Sequence, residues 1–160
     1  MMKIKVDDCF PDVTFFQLID GNPKTFKSSE IFNEKKIILV SVPGAFTPTC
    51  SNEHLPGYIK LFDEFKKKGI DDIYFVASND PFVMDAWINS YSESHIKYLA
   101  DSKFELLDAT GLEIDLAVAG LGKRLSRFAI FIDNGLIKNI FDEEGGGLEK
   151  SSAENLLNNL

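Results

Sequence analysis

The sequence predicts an α/β fold, in which a central mixed β-sheet is flanked by helices and preceded by an N-terminal hairpin. Two near-continuous apolar runs, "KIILVSV" (36–42) and "IYFVAS" (73–78), are typical of strands buried on both faces. A segment with helical periodicity follows each of them. A third apolar run, a turn and a return strand follow at 127–141. Strands that alternate with helices before a final hairpin and helix indicate a sheet between two helical layers.

The N-terminal half supplies the first elements. Residues 13–19 are β-prone, and Asp20-Gly21-Asn22 is a hairpin signal before a return strand near Thr25-Phe26. Residues 28–32 predict a short helix before the buried strand 36–42. Residues 48–68 then have helical periodicity, and Pro56 should kink or restart that helix because proline lacks the N–H that a helix interior uses.

The C-terminal half continues the alternation. After the strand 73–78, Asn79-Asp80-Pro81 combines a cap with a proline at the first position of a helix that reaches residue 91. A short strand is predicted at 98–100 and a helix at 103–110, which ends at Gly111. Beyond the hairpin come a glycine loop at 145–147 and an amphipathic helix at 151–160. This succession is compatible with a thioredoxin-like layout, and we interpret residues 1–160 as a single domain.

Composition limits the function. The chain has 160 residues, 44% of them hydrophobic, which suffices for one core. The net charge of −8 disfavours nucleic acid as a partner, because phosphate contacts need clustered Lys and Arg. No apolar run approaches the roughly 20 residues that cross a membrane, and "MMKIKVDDCF" lacks a signal-peptide core. Two cysteines are too few for a disulfide framework, so a reducing compartment is expected: the cytoplasm, or an organelle such as a plastid or mitochondrion.

One of the cysteines has an unusual setting, "PGAFTPTCSNEH" (43–54). Thr47 is a suitable N-cap and Pro48 suits the first helical position, so Cys50 is predicted in the first turn of a helix that follows a buried strand. Unpaired backbone N–H groups and the helix dipole favour a negatively charged sulfur there. Because the thiolate is the nucleophile, Cys50 is a candidate reactive thiol. A buried, inert cysteine is the alternative.

Two further residues indicate the kind of chemistry. Thr47 stands where a C-x-x-C dithiol would have its first cysteine, and a hydroxyl can hydrogen-bond sulfur or oxygen but cannot form a disulfide. This favours attack on a small oxidant over disulfide exchange. Arg127, at the entrance of an apolar strand, could stabilise a thiolate and polarise a peroxide. An ordinary surface arginine is the alternative.

Three segments carry a family resemblance. "VPGAFTPTCSNEHLPGY" (42–58), "SNDPFVMDAW" (78–87) and "RLSRFAIFIDNGLIK" (124–138) resemble, in that order, segments of the type II (atypical, peroxiredoxin-five-like) peroxiredoxins. The P-x-x-x-T-x-x-C pattern formed by Pro43, Thr47 and Cys50 is the most family-specific part of the first segment. The resemblance as a whole extends from about residue 10 to residue 160. It implies a thioredoxin-like fold and a thiol-dependent peroxidase of antioxidant defence that needs no cofactor or metal.

The resemblance also implies roles for individual residues. Cys50 would be the peroxidatic cysteine that becomes a sulfenic acid, Thr47 would position the peroxide, and Arg127 would stabilise the developing charge. Pro43 would shield the sulfur from solvent. The remaining residues expected around the substrate pocket are Gly44, Phe46, Thr49, Leu121 and Phe128.

The sequence departs from the family pattern in its resolving cysteine. The two positions where some members carry one are Phe75 and Lys150 here, and Cys9 lies outside both. We therefore expect a one-cysteine enzyme similar to the parasite antioxidant protein group. An external thiol would reduce its sulfenic acid, with glutathione and glutaredoxin expected first and thioredoxin second. A homodimer packed beside the active site is also implied.

Several alternatives stay open at this point. His54, four residues after Cys50, is weighed as a general base or as half of a metal pair, but a packing or hydrogen-bonding role is preferred. "GLGKR" (120–124) lacks the register of a phosphate loop and is interpreted as a pocket wall. Phe46, Phe82 and Trp87 belong either to a dimer face or to the core. The rival functions are a thiol–disulfide oxidoreductase and a non-catalytic binding module.

Overall fold

A computed structural model describes residues 2–92, 94–144 and 147–160. The strands are β1 (Thr14–Ile19), β2 (Asn22–Lys27), β3 (Lys36–Ser41), β4 (Asp72–Ala77), β5 (Lys97–Ala100), β6 (Glu113–Leu116), β7 (Gly122–Leu125), β8 (Phe128–Asp133) and β9 (Leu136–Asp142). The helices are α1 (Ser28–Phe32), α2 (Leu55–Lys60), α3 (Phe62–Lys67), α4 (Pro81–Asn89), α5 (Glu105–Thr110) and α6 (Ala153–Asn158). A π-helical turn (Cys50–His54) leads into α2, and a 3₁₀ turn (Ala117–Ala119) follows β6.

The main sheet has seven strands in the order β2-β1-β5-β4-β3-β8-β9 among the described residues. Its centre is parallel, because β3 pairs with β4 and β4 with β5 in the same direction. β1 and β8 join antiparallel on either side. The predicted mixed sheet of a thioredoxin-like fold is thereby confirmed.

Alternate side chains of the central strands enter two separate core clusters. On β3, Ile38 and Val40 pack on one face with residues of α2, α3, α4 and α6. Ile37 and Leu39 pack on the other face with residues of α1 and α5. All four are fully buried, as expected for a strand with helices on both sides.

Both predicted hairpins are present. Asp20 and Gly21 connect β1 to β2, and Asn134 and Gly135 connect β8 to β9, with positive φ at both central residues of each turn. Turns of this kind match the right-handed twist of paired strands, which explains why Asp-Gly and Asn-Gly occupy them. The glycine loop predicted at 145–147 lies partly outside the described residues, since Gly145 and Gly146 are not among them.

The predicted helix 48–68 is broken into pieces. Pro56 sits in the first turn of α2, so the helix restarts there as predicted, directly after the π-helical turn. A proline ring crowds the carbonyl four residues earlier and donates no N–H, and a wider turn accommodates both effects. A second break falls at Leu61, between α2 and α3.

The segment 112–126 contains elements that the sequence did not predict. β6 and β7 form a two-stranded antiparallel sheet, and the residues between them include the fully exposed Val118. β6 and β7 are short, half-exposed and weakly apolar, which is why periodicity failed to find them. In the described ranges, no helix is both long enough and apolar enough to span a membrane.

Candidate active site

Cys50 lies just beyond the carboxyl end of β3. The helical run begins at Pro48, directly after Thr47, as predicted. The Thr47 carbonyl accepts the Ser51 N–H at 2.9 Å, which closes the first turn around Cys50. The predicted capping by the Thr47 side chain is wrong, because its hydroxyl instead donates to the Gly44 carbonyl at 2.7 Å. Thr47 therefore ties the turn back onto the preceding loop.

The Cys50 side chain is fully buried and contacts a guanidinium group. Arg127 Nη2 donates to Cys50 Sγ at 3.2 Å, so the structure brings these two predicted residues together. The pairing of Ser41 with Phe128 explains this contact. Because β8 runs antiparallel to β3, the residue before Phe128 lies at the sheet end where the Cys50 loop begins.

Arg127 carries its charge in a buried position. The residue is only 3% exposed, and in the described part of the chain no carboxylate lies within 4.0 Å of its guanidinium. A buried cation without an anionic partner is costly. A Cys50 thiolate is the group in contact that can supply the missing negative charge. The buried Arg127 Nε also has no acceptor among the described residues.

His54 holds the other side of the same guanidinium. Its Nδ1 lies 2.8 Å from Arg127 Nη1, and its Nε2 lies 3.0 Å from the Ser151 carbonyl. A neutral ring that accepts at Nδ1 and donates at Nε2 satisfies both contacts. Burial, with the nearby Arg127 charge, lowers the pKa of His54 from 6.5 to about 3, so the ring is neutral at physiological pH. The preferred hydrogen-bonding role of His54 fits this geometry.

The same contacts argue against the two other roles weighed for His54. A general base needs a free lone pair, but the accepting nitrogen is occupied by Arg127. A metal shared by Cys50 and His54 would have to displace the guanidinium that bridges them. Within the described ranges, no group of three or more Cys, His, Asp or Glu residues is placed to hold a metal ion.

A chain of hydrogen bonds connects His54 to the C-terminal segment. Tyr58 Oη donates to the Ser151 carbonyl at 2.6 Å, beside the His54 contact. The Ser151 N–H and hydroxyl both donate to Glu143 Oε2 at 2.7 Å. Although burial opposes it, hydrogen bonds from Ser151, Glu149 and Lys150 keep the pKa of Glu143 below its ordinary value. The position of the Arg127 guanidinium thus depends, through His54, on a residue 97 positions further along the chain than His54.

Helix α4 and the segment directly after it hold Ser51, the residue that follows the cysteine. Trp87 Nε1 donates to Ser51 Oγ at 2.9 Å, and Tyr91 Oη donates to the Ser51 carbonyl at 2.6 Å. Trp87 is fully buried against Phe75, which places it in the core. Phe46 and Phe82, in contrast, are 58% and 55% exposed.

Most of the residues predicted around the substrate pocket lie in or near the loop before Cys50. Pro43 and Gly44 are buried in the loop before Cys50, Thr49 is half-buried in the turn, and Phe46 adopts a left-handed backbone at the loop surface, with φ of 62°. Leu121 is half-buried and belongs to a segment that reaches this loop.

Phe128 does not lie near the sulfur. Its side chain is fully buried in the core cluster on the opposite face of the sheet from Cys50. Neighbouring residues on a strand face opposite ways, so Phe128 points away from the side that Arg127 occupies. The prediction that Phe128 offers apolar surface to the pocket is therefore not supported.

Arg124 is a residue that sequence reasoning missed. Its Nη1 donates to the Pro43 carbonyl at 3.2 Å and its Nε donates to the Leu121 carbonyl at 3.0 Å. The segment predicted as a pocket wall is thereby attached to the Cys50 loop. A signal was present, since Arg124 and Arg127 are the only arginines in the chain and stand three residues apart.

Cys9 lies at the other end of the molecule. It pairs with Leu136 beside the β8–β9 turn, where the Asn134 N–H donates to the carbonyl of Lys35, the residue before β3. Cys50 follows the far end of β3, and a six-residue strand alone spans about 20 Å. Because a disulfide requires Cα atoms within about 7 Å, the two cysteines cannot pair in this fold. Both are free.

These features define a class of protein. A single buried thiol beside an arginine, at the carboxyl end of a central strand in a thioredoxin-like fold, is the site of a thiol-based redox enzyme without a vicinal dithiol.

The chain belongs to the Redoxin family, whose model matches residues 5–157, and within that family to the peroxiredoxins. It is 45% identical to peroxiredoxin-2C of Oryza sativa subsp. japonica over the full length of both chains. Reduced Prx3 of Vibrio vulnificus, solved in complex with H₂O₂, superimposes with a TM-score of 0.92 at 42% identity over 98% of each chain. The Plasmodium falciparum antioxidant protein, a 1-Cys peroxiredoxin, gives 0.91 at 31% identity, over 98% of this chain and 100% of that one. The protein is accordingly a thiol-dependent peroxidase with an antioxidant role.

Proposed function

We propose that this peroxidase uses Cys50 as its only redox-active cysteine and that Arg127 maintains and directs the reacting thiolate. The observation that carries the proposal is the 3.2 Å contact between Arg127 Nη2 and Cys50 Sγ, made by a buried guanidinium without a carboxylate partner in the described part of the chain. The pairing gives the sulfur a cationic partner and the cation an anionic one.

The first step is displacement at oxygen. The Cys50 thiolate attacks the terminal oxygen of the hydroperoxide, so an S–O bond forms while the O–O bond breaks. Sulfur loses two electrons and becomes a sulfenic acid. The second oxygen of the peroxide gains these electrons and leaves as an alkoxide or hydroxide, which takes a proton from solvent. Arg127 stabilises the negative charge that moves onto the leaving oxygen, which is the largest kind of contribution in such sites. Its Nε–H, which has no acceptor among the described residues, is available as a further donor to the reactant.

The loop residues have supporting roles in this proposal. The Thr47 hydroxyl donates to Gly44, so its oxygen keeps lone pairs that can accept a hydrogen bond from the hydroxyl end of a peroxide. Pro43 is buried and contributes no N–H, which keeps the sulfur side of the loop apolar and screened from water. Gly44, Phe46, Thr49 and Leu121 bound the approach.

The second step uses thiols from outside the chain. A thiolate attacks the sulfenic sulfur and forms a mixed disulfide with release of hydroxide, and a second thiol then displaces Cys50 as thiolate and leaves as the disulfide. The distance between Cys9 and Cys50 supports an external reductant. Glutathione with glutaredoxin is our first candidate and thioredoxin the second, in a reducing compartment that supplies them.

Peroxide consumption by a Cys50→Ser variant tests the proposal. We expect turnover to disappear while the circular dichroism spectrum stays native, since serine is close in size to cysteine. Retained turnover would exclude Cys50 as the reacting group. Parallel assays with the glutathione–glutaredoxin and thioredoxin systems identify the reductant. An insulin-reduction assay with native protein distinguishes the rival oxidoreductase, which would be active there whereas a single-thiol peroxidase would not.

We also propose that the protein forms a homodimer beside the active site. Two exposed aromatic side chains, Phe46 and Phe82, support this. A 2.9 Å hydrogen bond from Ala45 N–H to Asn79 Oδ1 joins the loop of Phe46 to the residues just before α4, whose first turn carries Phe82. Adjacent exposed apolar groups often mark an interface. Sedimentation velocity should give a dimer for the native chain and a monomer for Phe82→Glu. A native protein that stays monomeric at micromolar concentration would contradict this proposal.

A further inference from the structure

The second arginine of the chain suggests how the enzyme selects its reactants. We propose that Arg124 is a specificity-determining residue that binds a carboxylate group on the reactant approaching Cys50. This inference rests on the proposed peroxidase function of Cys50. The carboxylate has two possible sources, an acidic thiol reductant or an organic hydroperoxide that carries an acid group.

The Arg124 guanidinium is fixed beside the Cys50 loop. Two hydrogen bonds to backbone carbonyls hold it, from Nη1 to Pro43 and from Nε to Leu121. A Cβ added to Gly44 would lie 3.1 Å from Arg124 Nη1 and 3.1 Å from Thr47 Cγ2. The guanidinium and Thr47 thus flank the same glycine, and the Thr47 carbonyl closes the turn that contains Cys50.

The charge of Arg124 is not neutralised by the protein. Both of its contacts are to neutral carbonyls, and across the described ranges no carboxylate lies within 4.0 Å of it. Nη2 makes no hydrogen bond to another described residue, and it is not among the buried polar atoms that lack a partner in the described ranges, so this nitrogen is accessible to a ligand. Lys123, the preceding residue, differs in that it pairs with Glu113 at 3.4 Å.

These properties suit one ligand chemistry. A planar guanidinium with immobilised Nε and Nη1 presents its remaining donors in a fixed direction, and carboxylates are the anions that match this geometry in small organic reactants. The chain has a net charge of −8, so its surface as a whole repels anions. A fixed positive charge beside the loop that carries Cys50 counteracts this repulsion locally.

The test compares charged and neutral forms of the same reactant in each half-reaction. Trp87, the only tryptophan, donates to Ser51 next to Cys50, and its fluorescence should report oxidation and reduction of the sulfur. The oxidation arm uses a fatty-acid hydroperoxide and its methyl ester. The reduction arm uses glutathione and its diethyl ester on the preformed sulfenic acid. The selectivity of each arm is the ratio of its acid to ester rate constants.

In Arg124→Gln we expect this ratio to fall about tenfold in one arm, the size of effect for losing one charge-assisted hydrogen bond. The arm that responds identifies the source of the carboxylate. Lys123→Gln removes the same charge from the neighbouring residue, and its ratios should stay within about twofold of native.

Unchanged acid-to-ester ratios in both arms of Arg124→Gln would overturn the inference. An equal fall in the rate constants of acid and ester would also overturn it, because it would show that Arg124 only supports the Pro43 loop. The proposed role of Cys50 is judged separately, by the loss of H₂O₂ turnover in Cys50→Ser, so the two failures cannot be confused.

Discussion

At the scale of single residues, we propose that the position of one guanidinium governs the reactivity of the Cys50 sulfur. Arg127 contacts the sulfur with one terminal nitrogen and His54 with the other, and His54 is fixed in turn by the Ser151 carbonyl. A flexible arginine would sample many directions. Two hydrogen-bonded neighbours reduce that freedom, and preorganised donors stabilise a transition state without further reorganisation.

His54 should therefore behave as a positioning residue. In His54→Phe, Arg127 loses an acceptor, and we expect the rate constant for oxidation by H₂O₂ to fall about tenfold, the cost of one buried hydrogen bond to a charged group. His54→Gln, which can both accept and donate, should recover part of that loss. Stopped-flow oxidation with native-like circular dichroism measures the effect, and equal rates in all three proteins would contradict it.

Sequence reasoning reached Cys50, Thr47 and Arg127 but not Arg124 or the partners of His54. The first three belong to a short motif and to the edge of an apolar strand, both of which are visible in a linear sequence. The contacts of His54 with Ser151 and of Ser151 with Glu143 join segments that only the folded chain brings together. The prediction that Phe128 lines the pocket rests on its position next to Arg127 in the sequence. It fails because neighbouring residues on a strand point to opposite faces of the sheet.

At the scale of elements, the π-helical turn that contains Cys50 is held in place by hydrogen bonds from α4 and the segment after it. Periodicity predicted one helix interrupted by Pro56, but it could not predict that the interruption would take the form of a wider turn beginning at Cys50. Trp87 and Tyr91 of the α4 region hold Ser51, and so fix the backbone direction of the cysteine.

Tyr91→Phe tests this connection between the two elements. It removes the 2.6 Å hydrogen bond to the Ser51 carbonyl and should lower the free energy of unfolding by about 1 kcal/mol. We also expect slower oxidation of Cys50. Tyr98→Phe is the matched control, since its hydroxyl bonds Leu18 and Asp85, away from the turn. Denaturant titration and stopped-flow oxidation are the measurements, and equal oxidation rates in the two variants would refute the connection.

At the scale of the whole molecule, two buried groups make stability depend on pH in opposite directions. The pKa of His54 falls from 6.5 to about 3 on folding, chiefly through burial. The contribution of His54 to the free energy of unfolding is therefore fully present above pH 6.5 and is lost as the pH falls toward 3. Burial raises the pKa of Asp101 from 3.8 to about 6, so its contribution is present below pH 3.8 and is lost as the pH rises through about 6.

Between about pH 4 and 6 the two groups change the free energy of unfolding by similar amounts in opposite directions. From about pH 6 to 6.5 only His54 still contributes, so together they give a small net gain in stability as the pH rises. Urea midpoints at pH 4.5 and pH 7 measure this gain. We expect the difference between the two midpoints to shrink in His54→Gln and to grow in Asp101→Asn, since the latter removes the opposing group. A difference that is the same in all three proteins would contradict the assignment.

The separation of the two cysteines is also a property of the whole fold. Cys9→Ser should keep at least half of the native turnover with an external thiol, because Cys9 lies beyond the opposite end of β3 from Cys50. Peptide mapping of the peroxide-treated native protein should give no disulfide between them. A Cys9–Cys50 disulfide, or a tenfold loss of turnover in Cys9→Ser, would invalidate the one-cysteine scheme.

The sheet, both hairpins and most helices could be predicted because buried strands and Asp-Gly or Asn-Gly turns leave strong local patterns. The β6–β7 hairpin could not, since its strands are short and half-exposed. Arg124 and Arg127 both contact the segment 43–50 because of the order of the strands in the sheet. No local sequence pattern encodes that order.

The most direct test of the central claim is the rate constant for the reaction of Cys50 with H₂O₂ in native protein and in Arg127→Gln. Stopped-flow Trp87 fluorescence and mass-spectrometric trapping of the sulfenic acid would measure it, with Lys24→Gln, an exposed lysine of β2, as the control for loss of one charge. We predict a fall of at least about a hundredfold in Arg127→Gln, as for the loss of an oxyanion-hole donor, and no change in the control. A folded Arg127→Gln protein that reacts within threefold of the native rate would contradict the account.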